Sequence, residues 1–324
     1  MHFNTDLFLQ YIILGVASGG LIALIALGYT LVYGIVELIN FAHGEVFMMG
    51  SMFALTIVAA AGVTSKSSAP AIFGIIILAL ILAMIFSALL NWGIDRVAYR
   101  PLRNAPRLAP LIAAIGMSFI LQNIGIYWKG SNPVSPPSII PIKYRAYNIL
   151  TEWFHLDTHV RLRPLDAIVI LVPIPLLIGL LWVVYRTRMG KAMRATAQDR
   201  EAAALMGIDI NRAIAVAFLL GGALAGAAGM IALYYNDSAN FHMGYRYGLY
   251  AFTAAVLGGI GNLAGAVIGG LMIGLIWSFS DGFMKEYIGG WGAQWTPVVI
   301  FSVLVLIMVF RPAGIFGEST PEKV

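Results

Sequence analysis

Few residues in this 324-residue chain are of a type and spacing that could do chemistry. The densest polar group inside apolar sequence is Asn40, His43, Gly44 and Glu45. Polar side chains at the boundary of an apolar span are costly unless partnered, so they point to a gate or to contact with a passing solute. The competing reading is structural, with Asn40 as a helix N-cap and Glu45 near the start of the next helix. His155, Asp157 and His159 place two imidazoles four residues apart around a carboxylate, a spacing that could hold a metal. No third ligand cluster accompanies them and no HExxH pattern occurs, so a plain aqueous loop is the better reading. The chain has no GxxxxGK[ST] phosphate loop and no GxSxG turn. It is expected to be no enzyme and to bind no ATP, cofactor or metal itself. With no cysteine, disulfides and Cys-ligated metals are excluded.

The remaining polar feature is the run Thr187–Arg212, which follows Arg186. Arg186, Arg188, Lys191, Arg194, Asp199, Arg200, Glu201 and Asp209 cannot lie in a buried span, and their basic excess argues for the cytoplasmic side. Ala202, Ala203 and Ala204 have high helix propensity. Asp199 and Glu201 suit a helix N-terminus. Gly207, between Met206 and Ile208, supplies a stop. A short, small-residue helix with fixed ends reads as a docking element for a cytoplasmic partner.

These residues must be positioned by membrane helices. Hydrophobic residues make up 60% of the chain and charged residues 11%, where soluble domains carry about a quarter charged residues. The net charge of +5 sits between apolar segments, which is the positive-inside pattern and no sign of nucleic acid binding. The fold expected is an all-α polytopic bundle in contact with lipid. Its spans are Leu9–Ile35, Val46–Val63, Ile72–Ile94, Leu108–Tyr127, Ala167–Tyr185, Ala213–Tyr234, an interrupted Leu249–Phe279, and Pro297–Phe310. Residues 1–324 read as one membrane domain, with a cytoplasmic loop over 186–212 and a Pro-rich outer loop over 129–165. Flanking Trp and Tyr residues, Tyr234 and Tyr235 among them, suit an interfacial belt.

Parity requires Leu249–Phe279 to begin and end outside, so it must turn back. The break falls at Gly258, Gly259 and Gly261. Irregular backbone at membrane depth is tolerated where protein covers it or a cavity adjoins it, and in transporters it often marks the path. Thr253, Gly258, Gly259 and Gly261 are therefore candidate path residues, their free N–H groups facing a solute carboxylate. The same parity puts Asn40, His43 and Glu45 at the cytoplasmic edge with the N-terminus outside. A re-entrant segment inside the bundle is the alternative. The glycine-rich stretches Gly221–Gly229 and Gly265–Gly274 read as close packing within one subunit.

Taken in order, several blocks resemble the permeases of branched-chain amino acid ABC importers, the LivH type. They are Gly28–Ser51, Arg100–Leu121, the loop GKAMRATAQDREAAALMGI (Gly190–Ile208), Ala217–Gly229, Ala251–Gly270 and Arg311–Glu318. The resemblance implies an inner-membrane permease forming half of a translocation path. It implies a homologous second permease, cytoplasmic subunits that bind ATP, and a periplasmic substrate-binding protein. It makes the docking element a coupling segment formed by Asp199, Arg200, Glu201, Ala202, Ala203, Leu205, Gly207 and Ile208. Permeases for urea or short amides are an alternative within that class. An ion-driven carrier is a further alternative, opposed by an expected absence of central carboxylates in the spans.

Overall fold

The computed structural model describes residues 5–103, 105–106, 108–139, 160–288 and 292–317. The outer-loop motif His155, Asp157 and His159 lies outside them. Among the described residues the chain is helical, with one isolated backbone bridge between Val134 and Ala239.

Apolar sequence punctuated by Pro and capping residues defines the helices. They are α1 (Thr5–Val36), α2 (His43–Ala60), α3 (Ala69–Ile94) and α4 (Leu108–Lys129). Next come α5 (Pro164–Leu171) and α6 (Pro173–Arg186), one span interrupted where Pro173 removes a backbone donor. Two short helices follow, α7 (Arg188–Gln198) and α8 (Arg200–Leu205). The chain closes with α9 (Ile210–Tyr235), α10 (Met243–Gly258), α11 (Leu263–Ser278) and α12 (Thr296–Phe310). Among the described residues eight helical segments are long and apolar enough to cross a membrane, so the chain is a multi-pass membrane protein. The span anticipated from Val46 begins at His43, and the interrupted element anticipated from Leu249 begins at Met243.

The core is α1, α2, α9, α10 and one face of α11. Alpha1 is apolar all round and buried along most of its length from Gly15 to Val36, as a central helix must be. By contrast α3, α4, α5–α6 and α12 bury narrow stripes and turn residues such as Phe73, Ile112, Ile178 and Val305 outward. Glycine seams bring the core backbones together. A side chain at Gly226 would meet the Ala83 carbonyl, and one at Gly270 would meet the Ala23 backbone. These seams are internal to the subunit, as expected.

The arrangement is doubled. After α1, Glu37 has φ 55°; after α9, Asp237 has φ 54°. Asn40 Oδ1 accepts from the Ala42 amide at 3.1 Å, and Asn240 Oδ1 accepts from the His242 amide at 3.1 Å. Each turn is followed by a glycine in the next helix, Gly44 in α2 and Gly244 in α10. Alpha3 ends in a π-helical turn at Asp95–Tyr99, and α11 in another at Phe279–Phe283. Alpha1 lies antiparallel to α11, just as α9 lies antiparallel to α3. So α1–α4 and α9–α12 are two copies of one four-helix unit. They run in opposite directions, since Arg200, just ahead of α9, contacts the last turn of α1. Inverted repeats of this kind place transporter binding sites at the repeat interface.

Candidate functional site

The second helices of the two repeats, α2 and α10, meet head to head. A Cβ at Gly44 of α2 would fall 2.4 Å from the Gly244 carbonyl of α10, and one at Gly248 would fall 2.9 Å from Gly44 Cα. The absence of those side chains is what lets the two N-termini touch. The contact is deep. His43 packs on Gly28, which precedes the end of α1 at Val36 by about 12 Å at the α-helical rise. Residues 37–42 therefore climb back into the bundle before α2 starts. The re-entrant alternative is the one the structure adopts, and the group 40–45 is not at the membrane edge.

Beside this contact is a cavity of about 290 Å³. Tyr29, Phe41, Glu45, Ile115, Ser118, Gln122, Gly244 and Leu249 are among its lining residues. The Glu45 side chain is buried, 1% exposed. The Ser118 hydroxyl donates to its Oε1 at 3.4 Å. Its Oε2 has no hydrogen-bond partner and lies against Gly244, where a Cβ would be 2.2 Å away. No Lys, Arg or His pairs with it among the described residues. Leaving a carboxylate so placed costs several kcal/mol unless it is neutralised or paired. Glu45 stands in the first turn of α2, and Gly244 in the first turn of α10, so two helix N-termini supply partial positive charge. The expected absence of central carboxylates is not met, since Glu45 is buried inside the bundle, and the argument it lent against an ion-driven carrier falls with it.

His43 and Asn40 take different places. The His43 ring is fully buried, edge-on to Tyr29 at 4.8 Å, facing the Ile25 carbonyl without a hydrogen bond of good geometry. Asn40 does not cap α2, whose N-cap is Ala42 without a side-chain bond. Its amide donates to Asn91 Oδ1 at 3.3 Å, and Asn91 donates to the Phe218 carbonyl at 2.7 Å. The Tyr99 hydroxyl lies 3.2 Å from Asn40 Oδ1. Asn40 thus holds Asn91, which makes the tie to the second repeat, and it lies outside the cavity lining.

The glycine break occupies another site. Gly261, with φ 95°, neighbours Gly34 near the end of α1, and Gly259, with φ 99°, packs on the tail at Gly317. The amides of Ile315 and Phe316 donate to the carbonyls of Leu257 and Gly258. Asn262 caps α11 by accepting from the Gly265 amide at 3.0 Å. Thr253 donates to the Leu249 carbonyl within its own helix. Thr253, Gly258, Gly259 and Gly261 therefore do not line the cavity, and the N-terminus that adjoins it is that of α10, not α11.

The polar loop between α6 and α9 folds as two short helices. Asp199 caps α8 by accepting from the Ala202 amide at 3.0 Å. Gly207, φ 80°, closes it: Ile208 N–H bonds to the Ala203 carbonyl and Gly207 N–H to the Ala204 carbonyl, which is a Schellman ending. Ala203 is buried, while Glu201 and Ala202 are exposed, and Leu205 and Met206 are 89% and 82% exposed at the tip. The Arg200 guanidinium donates to the Ile35 carbonyl at 2.8 Å, pinning α8 to the last turn of α1. Arg103 pairs with Asp95 at 2.7 Å and also bonds Asn211, fixing the start of α9.

Among known families, that of the branched-chain amino acid transport system permease components matches residues 11–309. The chain belongs to this family. The permease is 38% identical over 317 residues to the high-affinity branched-chain amino acid transport system permease protein LivH of Salmonella typhimurium, covering 98% of each chain. It is 38% identical to the corresponding protein BraD of Pseudomonas aeruginosa, again over 98% of each. A probable branched-chain amino acid transport permease of Methanocaldococcus jannaschii is 28% identical, over 92% of this chain and 89% of the relative. No solved structure matches the permease. Its family is one of ATP-driven import systems, in which permeases work with ATPase and substrate-binding partners.

Ser118, Tyr29, Gly244 and Gly248 escaped the sequence reading. A signal was present, because Asn240, Phe241 and Gly244 restate Asn40, Phe41 and Gly44. The polar turn before α10 is the copy of the one before α2.

Proposed function

We propose that this permease carries branched-chain amino acids across a bacterial inner membrane. It forms half of the path beside a homologous second permease. A periplasmic protein delivers the amino acid, and cytoplasmic subunits bind the ATP, so the permease holds no nucleotide or cofactor of its own. The observation that carries this reading is the match of nearly the whole chain to permeases of that transport system. The exposed tip of α8, braced by Arg200, has the form of a coupling element: a rigid end that a moving ATPase can push. Asp199, Arg200, Glu201, Ala202, Ala203, Leu205, Gly207 and Ile208 act there as one unit.

The test is uptake of labelled leucine by cells lacking the permease and then regaining it with its neighbouring subunits. Restored uptake that isoleucine and valine compete, and that vanadate abolishes in vesicles, is the expected result. Restored urea or amide uptake with unchanged leucine uptake would replace the cargo and keep the machine. Uptake that resists vanadate but collapses with the ion gradient would replace the machine.

A further inference from the structure

Resting on the amino-acid reading above, we propose that the Glu45 cavity is the subsite for the ammonium group of the transported amino acid. Glu45 is a buried acceptor with one oxygen committed to Ser118 and the other unpartnered. That oxygen is packed against Gly244, and both Glu45 and Gly244 line the cavity. The burial cost of a lone carboxylate is offset by a cation, and no cationic side chain of the described residues supplies one. An ammonium donates three hydrogen bonds with no acceptor need, which suits a carboxylate acceptor such as Glu45.

The rest of the lining fits the remainder of such a solute. Ile115, Phe119 and Leu249 offer an apolar wall for an aliphatic side chain. Tyr29, Phe41 and Tyr245 add aromatic surface, which favours a cation over an anion. The two repeats differ here in a telling way. Tyr245 occupies in α10 the place that Glu45 occupies in α2, so the head-to-head contact carries a single carboxylate instead of a repelling pair. The lining thus sets one carboxylate, with the neutral polar groups of Ser118 and Gln122, against apolar and aromatic walls, which puts the amine of a zwitterion at Glu45.

The experiment uses the assembled complex, purified with its second permease and ATPase subunits and without the binding protein. Equilibrium binding of labelled leucine is competed by isoamylamine, which lacks the carboxylate, and by 4-methylpentanoate, which lacks the ammonium. The expected pattern is displacement by the amine, none by the acid, and at least tenfold weaker leucine binding in Glu45→Gln with partial recovery in Glu45→Asp. Displacement by the acid alone would overturn the proposal without any mutation. So would unchanged binding and transport in Glu45→Gln, which would mark a neutral, structural carboxylic acid. Loss of the second permease from the Glu45→Gln complex, with leucine binding by the wild type indifferent to the amine, would assign Glu45 to a cation of that partner and also overturn it. A wild-type complex that transports leucine while these results fail rejects only the subsite. A wild-type complex that neither binds nor transports leucine rejects the amino-acid reading along with it.

Discussion

Arg200 is a hinge pin between two covalently distant parts of the chain. Its guanidinium satisfies the Ile35 carbonyl, one of the orphan acceptors at the end of α1. Truncating it frees α8 to move without moving α1. Arg200→Ala is expected to leave ATP hydrolysis running while uptake falls several-fold, measured as the ratio of leucine transported to ATP consumed in proteoliposomes. An unchanged ratio would remove Arg200 from the coupling route. Gly207 is constrained differently. Open space surrounds it, but its φ of 80° is a conformation that costs an L-residue about 1–2 kcal/mol. Gly207→Val should unravel the last turn of α8 and depress uptake, with the protein still present in the membrane. Gly44 has no such latitude, because its Cβ would strike the Gly244 carbonyl backbone. Gly44→Val should prevent recovery of folded permease from detergent extracts, as judged by monodisperse elution.

At the scale of elements, the caps show what can be weighed independently of transport. Asn262 accepts from the Gly265 amide and donates to the Phe316 carbonyl, so it ties α11 to the tail. Asn262→Ala should cost about 1 kcal/mol through the lost cap. A lowered thermal midpoint in detergent with unaltered leucine affinity is the expected signature. The same elements show how far residues alone can be read. The spans were legible because long apolar runs leave little choice, and α8 was legible because Asp199, the alanines and Gly207 write a helix start, body and stop in order. The depth of Glu45 was not legible. Parity counts crossings, and a segment that exits, turns and climbs back before the next helix leaves the count unchanged. The glycine break was legible as a break, yet its role was not. Only the fold shows that the Arg311–Gly317 tail satisfies its carbonyls and that the free helix start lies in α10 instead.

For the molecule as a whole, the inverted repeat commits the two hairpins to opposite faces. The lack of cysteine makes that commitment measurable. A single cysteine at Leu205, 89% exposed at the tip of α8, should react with a membrane-impermeant maleimide in inside-out vesicles only. One at Ser65, in the turn between α2 and α3, should react in right-side-out vesicles only. Labelling of both from the same side would contradict the opposed orientation of the repeats.

Alpha1 links these scales. Its 32 residues make a rod of about 48 Å, longer than the apolar thickness it crosses. One end is gripped by Arg200 at the Ile35 carbonyl, and the other by the Ser278 hydroxyl at the Tyr11 carbonyl, 2.8 Å away. Between the grips, Gly28 rests directly on Gly221 of α9, with bare backbone against bare backbone. Tied at both ends, α1 joins α8 at one end to the last turn of α11 at the other through a single rigid rod.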